Sequence, residues 1–514
     1  MSRTKFTNKT ITNTSVKRSA SKSLLIDSIQ TKDSMTANGM EAHSTTSSSV
    51  LDMFFLSGAS RNLSESDIIN LWVKAVNEDA NLAYKALFYS GDVRGGQGER
   101  RFFRTVLKYA YENDYDRMKV TIPYILEFRR ADDLLFLMAD AIEKKDGKSK
   151  KISKNDISLK WDDTKIFEII ISGLREGNGL IAKWMPRKGI VFNALCERMK
   201  LTPKNLRKLL VRLTKEANTV EQLMCAGKWN SIEFSKVSSK AFNIYKKAFE
   251  KHDSVRFEAF VEKAVKGEVK INTSVLYPED VIGEALNSGI TRMSKTQIDA
   301  VIAQWNQLPD FIGRKKNENF ISIVDVSGSM GDGKKSPYSV AVSIGMYLAE
   351  RNTGIFKDAF ITFSSTPRLQ YLKGNVIERL NQFNRGFAEN TDLNKALRLI
   401  LTKAVDANLP EAEMPKAIVI ISDMQFDSCM GDTATEMIER EYRNAGYSLP
   451  KIVFWNVNGS VGTNPAKSNS KNVNMVSGYS PNIMKQVLET LSKTPYELMV
   501  NTLNSARYES INVK

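Results

Sequence analysis

Hydrophobic positions recur with helical period from Val50 to about Trp305. Ile68, Leu71, Trp72, Ala75 and Val76 make one such set, and Phe102, Phe103, Val106, Leu107 and Ala110 make another. That spacing places each set on one side of a helix, where a neighbouring helix can bury it. No β-alternation of comparable length interrupts the series, so this half reads as an irregular bundle or a solenoid of stacked helix pairs. No fixed sequence period separates those two readings. Lys144 to Lys160, rich in Lys, Asp, Ser and Gly, reads as a surface loop. Residues 1–48 are rich in Ser and Thr, carry Lys and Arg, and hold few large apolar side chains. They read as a disordered basic tail. The same bias also fits a transit peptide, although no Arg-rich amphipathic helix is evident.

After Pro309 and the charged Arg314-Lys315-Lys316 the pattern changes to short β-rich runs alternating with helices. Strands are expected at Phe320–Val326, Ala359–Phe363, Ala417–Asp423 and Lys451–Val457, with helices near Tyr338–Ala349, Asp392–Ala404, Ala434–Ala445 and Ile483–Ser492. Fully apolar strands in such an alternation predict a mostly parallel sheet covered on both faces. The expected organisation is therefore multidomain: tail 1–48, an all-α helical-repeat domain over 49–312, and an α/β, Rossmann-like domain over 316–514. In an open α/β sheet, ligands bind at the carboxyl ends of the strands. Asp325 and Asp423 both stand at such ends.

The chemistry gathers at those ends. Asp325-Val326-Ser327-Gly328-Ser329 follows one apolar strand, Ser422-Asp423 ends another, and Asn390-Thr391-Asp392 precedes a helix. Carboxylates and hydroxyls are hard oxygen donors that suit Mg²⁺ or another divalent cation.

Lys and Arg number 74 against 58 Asp and Glu, a formal charge of +16. An excess of this size favours polyanions, nucleic acid foremost, although solubility alone also accommodates it. Between Lys183 and Lys270 stand 20 basic and 9 acidic side chains, so much of the excess lies well away from Asp325. Lys204, Arg207, Lys208, Arg212 and Lys215 fall on one stripe of a helix, opposite Leu206, Leu209, Leu210 and Leu213. Such a stripe either tracks phosphates or is a solvated face. Lys183, Arg187 and Lys188 lie beside Trp184, a core residue or a stacking platform for an unpaired base.

The segment Gly91-Asp92-Val93-Arg94-Gly95-Gly96-Gln97-Gly98-Glu99-Arg100-Arg101 lacks the Gly-Lys-Ser/Thr ending of a P-loop, so no nucleotide cofactor is expected. Its glycines make either a tight interhelical corner or an anion cradle ringed by Arg94, Arg100, Arg101 and Arg104. Two histidines and three scattered cysteines supply no recognised catalytic or zinc arrangement, and an enzyme is not expected. The cysteine usage suits a reducing, cytoplasmic setting, and no apolar run is long enough for a membrane span.

Two resemblances sharpen this reading. The Asp325–Ser329 loop, Thr391 and Asp423, in that order, resemble the metal-ion-dependent adhesion site of the von Willebrand factor A fold. The resemblance implies Ser327 and Ser329 as direct ligands, Thr391 as a direct or water-bridged one, and Asp325 and Asp423 as supporting carboxylates. It also implies an open coordination position for a partner's acidic group. Ala388-Glu389-Asn390 stands where that family often has two glycines. The Gly91–Arg101 segment resembles the TROVE signature of Ro ribonucleoproteins, with Gly91 in place of the first arginine. Ala182–Pro186, Val220–Met224 and Lys270–Asn272 resemble an uncharacterised family of the same domain order. In Ro proteins a ring of HEAT-like helical repeats binds small structured or aberrant RNA, and an A domain follows. The resemblance spans roughly residues 36–500 and implies a non-enzymatic RNA-binding ribonucleoprotein. A metal-dependent protein-interaction module without RNA, and an accessory to a motor ATPase, are the other readings.

Overall fold

The computed structural model describes residues 33–138, 164–217, 219–313, 319–333, 335–362, 367–383, 392–426, 432–489 and 491–513. Residues 1–32, Lys144 to Lys160 and Thr391 lie outside the described residues.

The chain enters through two short antiparallel strands, β1 (Ser34–Met35) and β2 (Glu41–Ala42). Helices follow: α1 (Ser49–Ser57), α2 (Glu65–Glu78), α3 (Ala80–Gly91), α4 (Arg100–Asn113), α5 (Tyr115–Thr121), α6 (Ile125–Phe128) and α7 (Ala131–Met138). The series continues with α8 (Thr164–Arg175), α9 (Gly179–Trp184), α10 (Ile190–Met199), α11 (Pro203–Glu216), α12 (Val220–Cys225), α13 (Ser239–His252), α14 (Ser254–Val265), α15 (Pro278–Ser288) and α16 (Lys295–Asn306). Local chemistry sets several starts. Ser64 and Asp67 form a capping box at α2, and the Asp79 carboxylate accepts from Leu82 N at the head of α3. Thr202 caps α11 ahead of Pro203, whose missing N–H costs nothing in a first turn. Ile68, Leu71, Trp72 and Ala75 are buried, as their spacing required.

The second half is an α/β sheet domain. Its strands are β3 (Phe320–Val324), β4 (Ala359–Thr362), β5 (Arg368–Tyr371), β6 (Ala417–Ser422), β7 (Lys451–Asn456) and β8 (Val473–Ser477). Helices α17 (Pro337–Arg351), α18 (Val376–Leu380), α19 (Leu393–Asp406), α20 (Asp432–Asn444), α21 (Met484–Glu489) and α22 (Pro495–Leu503) complete it. The order is β5-β4-β3-β6-β7-β8, with only the β4–β5 pair antiparallel. From β3 the chain steps outward to β4 and β5, then returns to β6 on the other side of β3. The crevice between β3 and β6 is therefore the topological switch point, where open α/β sheets take their ligands. Every residue of β3, β6 and β7 is buried, which is why they read as predominantly apolar runs without polar alternation. Helix α17 approaches β3 so closely that a Cβ on Gly345 would stand 2.2 Å from Val324 Cγ2.

Two expectations about the boundaries change. Residues 33–48 form an ordered strap: Thr36 Oγ1 donates to Phe426 O at 2.7 Å, and His43 exchanges backbone hydrogen bonds with Asn464. Polar side chains order this strap by bonding to loops some 390 residues away, so its own composition could not reveal it. Nor does the boundary expected between 312 and 316 separate two apolar cores. One continuous apolar core runs from Val50 in α1 through the whole sheet to Val513. A second core, built on Phe234, Phe242, Phe249 and Phe257, holds α13, α14 and part of α16. Among the described residues, no helix is long and apolar enough to cross a membrane.

Candidate cation site and basic helical surface

The switch point holds two carboxylates. Asp325 continues β3, its backbone N donating to Ile421 O of the neighbouring β6 at 3.0 Å. Its Oδ1 accepts from Ser327 N at 2.9 Å and its Oδ2 from Ser422 Oγ at 2.6 Å. Asp423, one residue past β6, accepts from Gln425 N at 3.2 Å and from the Ser329 hydroxyl. Both carboxylates are about 98% or more buried (1% and 2% exposed). Ser327 and Ser329 bring their hydroxyl oxygens within 3.1 Å of each other, and Ser329 faces solvent. Burial, and then the charge of Asp325, push the Asp423 carboxyl up to about 6. Met424 completes the loop at φ 62°, a left-handed conformation that is costly for a side chain of its size.

Four of the five expected ligating residues thus meet in one crevice; Thr391 lies outside the described residues. Among the described residues no group of three or more His, Cys, Asp and Glu gathers. The donors here are instead two carboxylates and two hydroxyls, all oxygen. That set fits a hard cation that keeps several waters, and it does not fit a soft one. Ser422 was visible in the sequence as the partner of Asp423, but its bond to Asp325 follows from strand register, which pairs Val324 with Ile421.

The strap closes one side of this site. Ala37 N donates to Gln425 Oε1 and Asn38 Nδ2 to Gln425 O, both at 2.7 Å. On another side, Lys335 N donates to Glu279 Oε1 at 2.9 Å, joining the loop after Ser329 to α15.

The Gly-rich segment is a corner. Asp92 is fully buried and accepts from Arg94 N at 2.9 Å and Gly95 N at 3.1 Å. It also binds the Arg507 guanidinium, through NH2 at 2.7 Å and through Nε, and Tyr508 OH at 3.0 Å. The carboxylate of Asp92 therefore occupies the place that an anion cradle would offer a ligand. A Cβ on Gly96 would stand 2.0 Å from Tyr89 O, so only glycine lets this turn close. Gln97 spans the halves, donating to Phe54 O at 3.3 Å and Ser477 Oγ at 3.1 Å. Glu99 caps α4, accepting from Arg101 N at 3.0 Å.

The expected RNA-binding residues divide into two groups. Arg101 is spent on Ser60 O at 3.0 Å, and Lys183 pairs with Glu221 at 3.1 Å. Arg187 is partly buried, donating to Ala182 O, Met185 O and Thr214 Oγ1, and its burial lowers its proton affinity. These three hold the helices together. Arg94, Arg100, Lys188, Lys204, Arg207, Lys208, Arg212 and Lys215 are exposed. On α11, Leu206, Leu210 and Leu213 are buried beneath the five cations of the stripe. Trp184 is half-buried under the Arg130 guanidinium at 4.8 Å.

A family model described as a domain of unknown function (DUF7788) matches residues 319–509, and a second domain of unknown function (DUF2828) matches residues 196–316. The boundary between the matches coincides with the passage from helices to sheet. The chain is 28% identical over 509 residues to "Uncharacterized protein L728" of Acanthamoeba polyphaga mimivirus, covering 91% of this chain and 87% of that protein. Among solved structures, the crystal structure of the Deinococcus radiodurans RO (RSR) protein is similar at 12% identity and a TM-score of 0.34. That match covers 85% of this chain and 92% of the other.

Proposed function

We propose that this chain is a non-enzymatic, cytoplasmic RNA-binding protein that holds the backbone of a small structured or aberrant RNA on its basic helical surface. The observation that carries the reading is α11, where five cations face solvent on one stripe above a buried leucine seam. Lysine and arginine in that arrangement neutralise phosphates and release counterions without reading bases. The helical half is then a TROVE-like, HEAT-like repeat array. Crosslinking the protein in its own cells and sequencing the attached RNA tests the reading. Enrichment of discrete small RNAs is expected, with binding in vitro that falls steeply with salt. Binding that is undetectable or indifferent to salt rejects it.

The sheet domain is read as a von Willebrand factor A domain whose crevice holds Mg²⁺ on Ser327 and Ser329, with Asp325 and Asp423 behind them and Thr391 as the remaining ligand. When bound, the cation supplies a coordination position for a carboxylate from a protein partner. Asp325 orients the loop by accepting from Ser327 N and Ser422 Oγ. Asp423 must be ionised to serve the cation. In the metal-free protein its raised value favours the protonated folded form, a contribution present at low pH and lost as pH rises through about 6. Protection from thermal unfolding by Mg²⁺ therefore grows across the same window. Asp325→Ala with Ser327→Ala is expected to abolish that protection at pH 7.5. Equal Mg²⁺ protection in wild type and double variant excludes the site.

A further inference from the structure

The starts of α4 and α7 bring four arginines onto two aspartates. Asp133 is fully buried and takes Arg104 Nε at 2.5 Å and Arg129 Nε at 2.9 Å. Asp132 is shared by Arg100 NH2 at 2.5 Å, Arg104 NH2 at 3.0 Å and Arg130 NH2 at 2.9 Å. The cluster thus carries two more positive charges than negative ones. Arg129 and Arg104 lie inward, at 4% and 20% exposure, whereas Arg100 and Arg130 are about half exposed at 46% and 50%. Each guanidinium offers about five N–H donors, and one carboxylate has about four acceptor positions. Three arginines therefore exceed what Asp132 can accept. The surplus has an electrostatic mark: Arg100 holds its proton less tightly than usual, first through burial and then through repulsion by Arg104 and Arg130. A second anion on the solvent side would offset the surplus charge and accept from the N–H groups that Asp132 leaves to water.

The position of the cluster indicates which anion. Arg130 lies over Trp184, and Arg187 three residues on is bonded to α11 through Leu210 O and Thr214 Oγ1. Arg207, on the cationic stripe, returns a bond from Nε to Arg187 O at 3.2 Å. Arg130, and Arg100 beside it on Asp132, are therefore linked to the α11 stripe through Trp184 and Arg187. We propose that Arg100 and Arg130 form a phosphate site that takes a phosphodiester of bound RNA, extending the α11 surface across Trp184 to the head of α4. Arg130 holds Asp132 through Nε at 3.0 Å and NH2 at 2.9 Å, and Arg100 holds it through NH2, so the phosphate oxygens are taken by the N–H groups that these two guanidiniums still turn to solvent. This inference rests on the RNA reading of α11 and deepens it.

Two measurements on the full chain test it, on Arg100→Gln with Arg130→Gln, on each single variant, and on Arg443→Gln. Arg443 is a control, an arginine 73% exposed on α20. The first is the thermal shift caused by inorganic phosphate against chloride of equal ionic strength. Wild type and control are expected to rise by about 1–2 °C and the double variant not at all. The second is affinity for a labelled single-stranded RNA oligonucleotide as salt is raised. Here the double variant is expected to lose about 1.4 from the log–log slope, about 0.7 per contact. If it keeps both the phosphate shift and the wild-type slope, the site is overturned even though α11 still binds RNA. If wild type binds no RNA but the phosphate shift still depends on the two arginines, the phosphate site stands and the RNA reading falls. Should polyglutamate give the arginine-dependent shift while RNA gives none, the site belongs to an acidic protein and the phosphodiester assignment is overturned.

Discussion

Asp92→Ala lowers the stability of the folded chain by about 3–5 kcal/mol, the cost of removing one partner from a buried, hydrogen-bonded ion pair. The size follows from what the carboxylate satisfies. Two backbone N–H groups of the Gly-rich turn, the Arg507 guanidinium and the Tyr508 hydroxyl all end on it, and none of its surface reaches water. Once it is gone, the Tyr508 hydroxyl stays buried without this acceptor and the partly exposed Arg507 guanidinium loses its countercharge. Arg507 also loses its anchor, and with it the segment that packs beside α3. The quantity to measure is the urea midpoint. Because Arg507 is the other half of the pair, Asp92→Ala with Arg507→Ala is expected to cost clearly less than the two single changes added together. A shift of the Asp92→Ala midpoint worth under about 1 kcal/mol, the net worth of one ordinary hydrogen bond, rules out this corner as a fastening between the halves.

Reversing Arg207, Lys208 and Arg212 to glutamate reduces RNA affinity by at least about 10–100-fold near 0.1 M salt and lowers the salt slope by about 2, at about 0.7 per phosphate contact. Stability is expected to change little, because Leu206, Leu210 and Leu213 carry the packing of α11 and are untouched. Arg207 is a partial exception, since it also bonds Arg187 O and lies over the Phe192 ring at 5.1 Å. Reversing Lys204, Lys208 and Lys215 instead leaves those two contacts in place and should give the same loss. A triple variant that binds RNA with wild-type affinity and slope removes α11 from the interface.

Much of the fold was legible because its strands and helices announce themselves locally. Phe320, Ile321, Ile323 and Val324 put apolar, mostly β-branched side chains into a strand-length run, and β6 and β7 follow the same pattern. Strand β8 was missed because Asn474 interrupts its apolar run, and that residue is nevertheless fully buried. Strand β5 was missed for the opposite reason: it pairs only with β4 and leaves Arg368 and Tyr371 exposed, so it has no apolar face to read. In the cation site, Asp325 and Asp423 were legible as polar breaks at the ends of apolar strands. The bond from Ser422 to Asp325 required knowing that β3 and β6 are neighbours. The Gly-rich turn shows the limit most clearly. Its arginines and glycines suit an anion, and only the fold reveals that the anion is Asp92, one of its own residues. The same holds for Arg130, Asp132 and Asp133, whose adjacent charges look self-cancelling until Arg100 and Arg104 arrive from α4.

The pairing of Asp92 with Arg507 also imposes an order of events on biosynthesis. The partners are 415 positions apart, so at about 5–20 residues per second the ribosome needs roughly 20–80 s to supply the second after the first. Throughout that interval the nascent chain carries a carboxylate destined for burial with its countercharge still unmade. The face of α1 and α3 that receives α22 stays open to solvent as well. Closure of the first helices is thus deferred until α22 has been made, and a chain stopped short of Pro495 presents that open apolar face to chaperones and proteases.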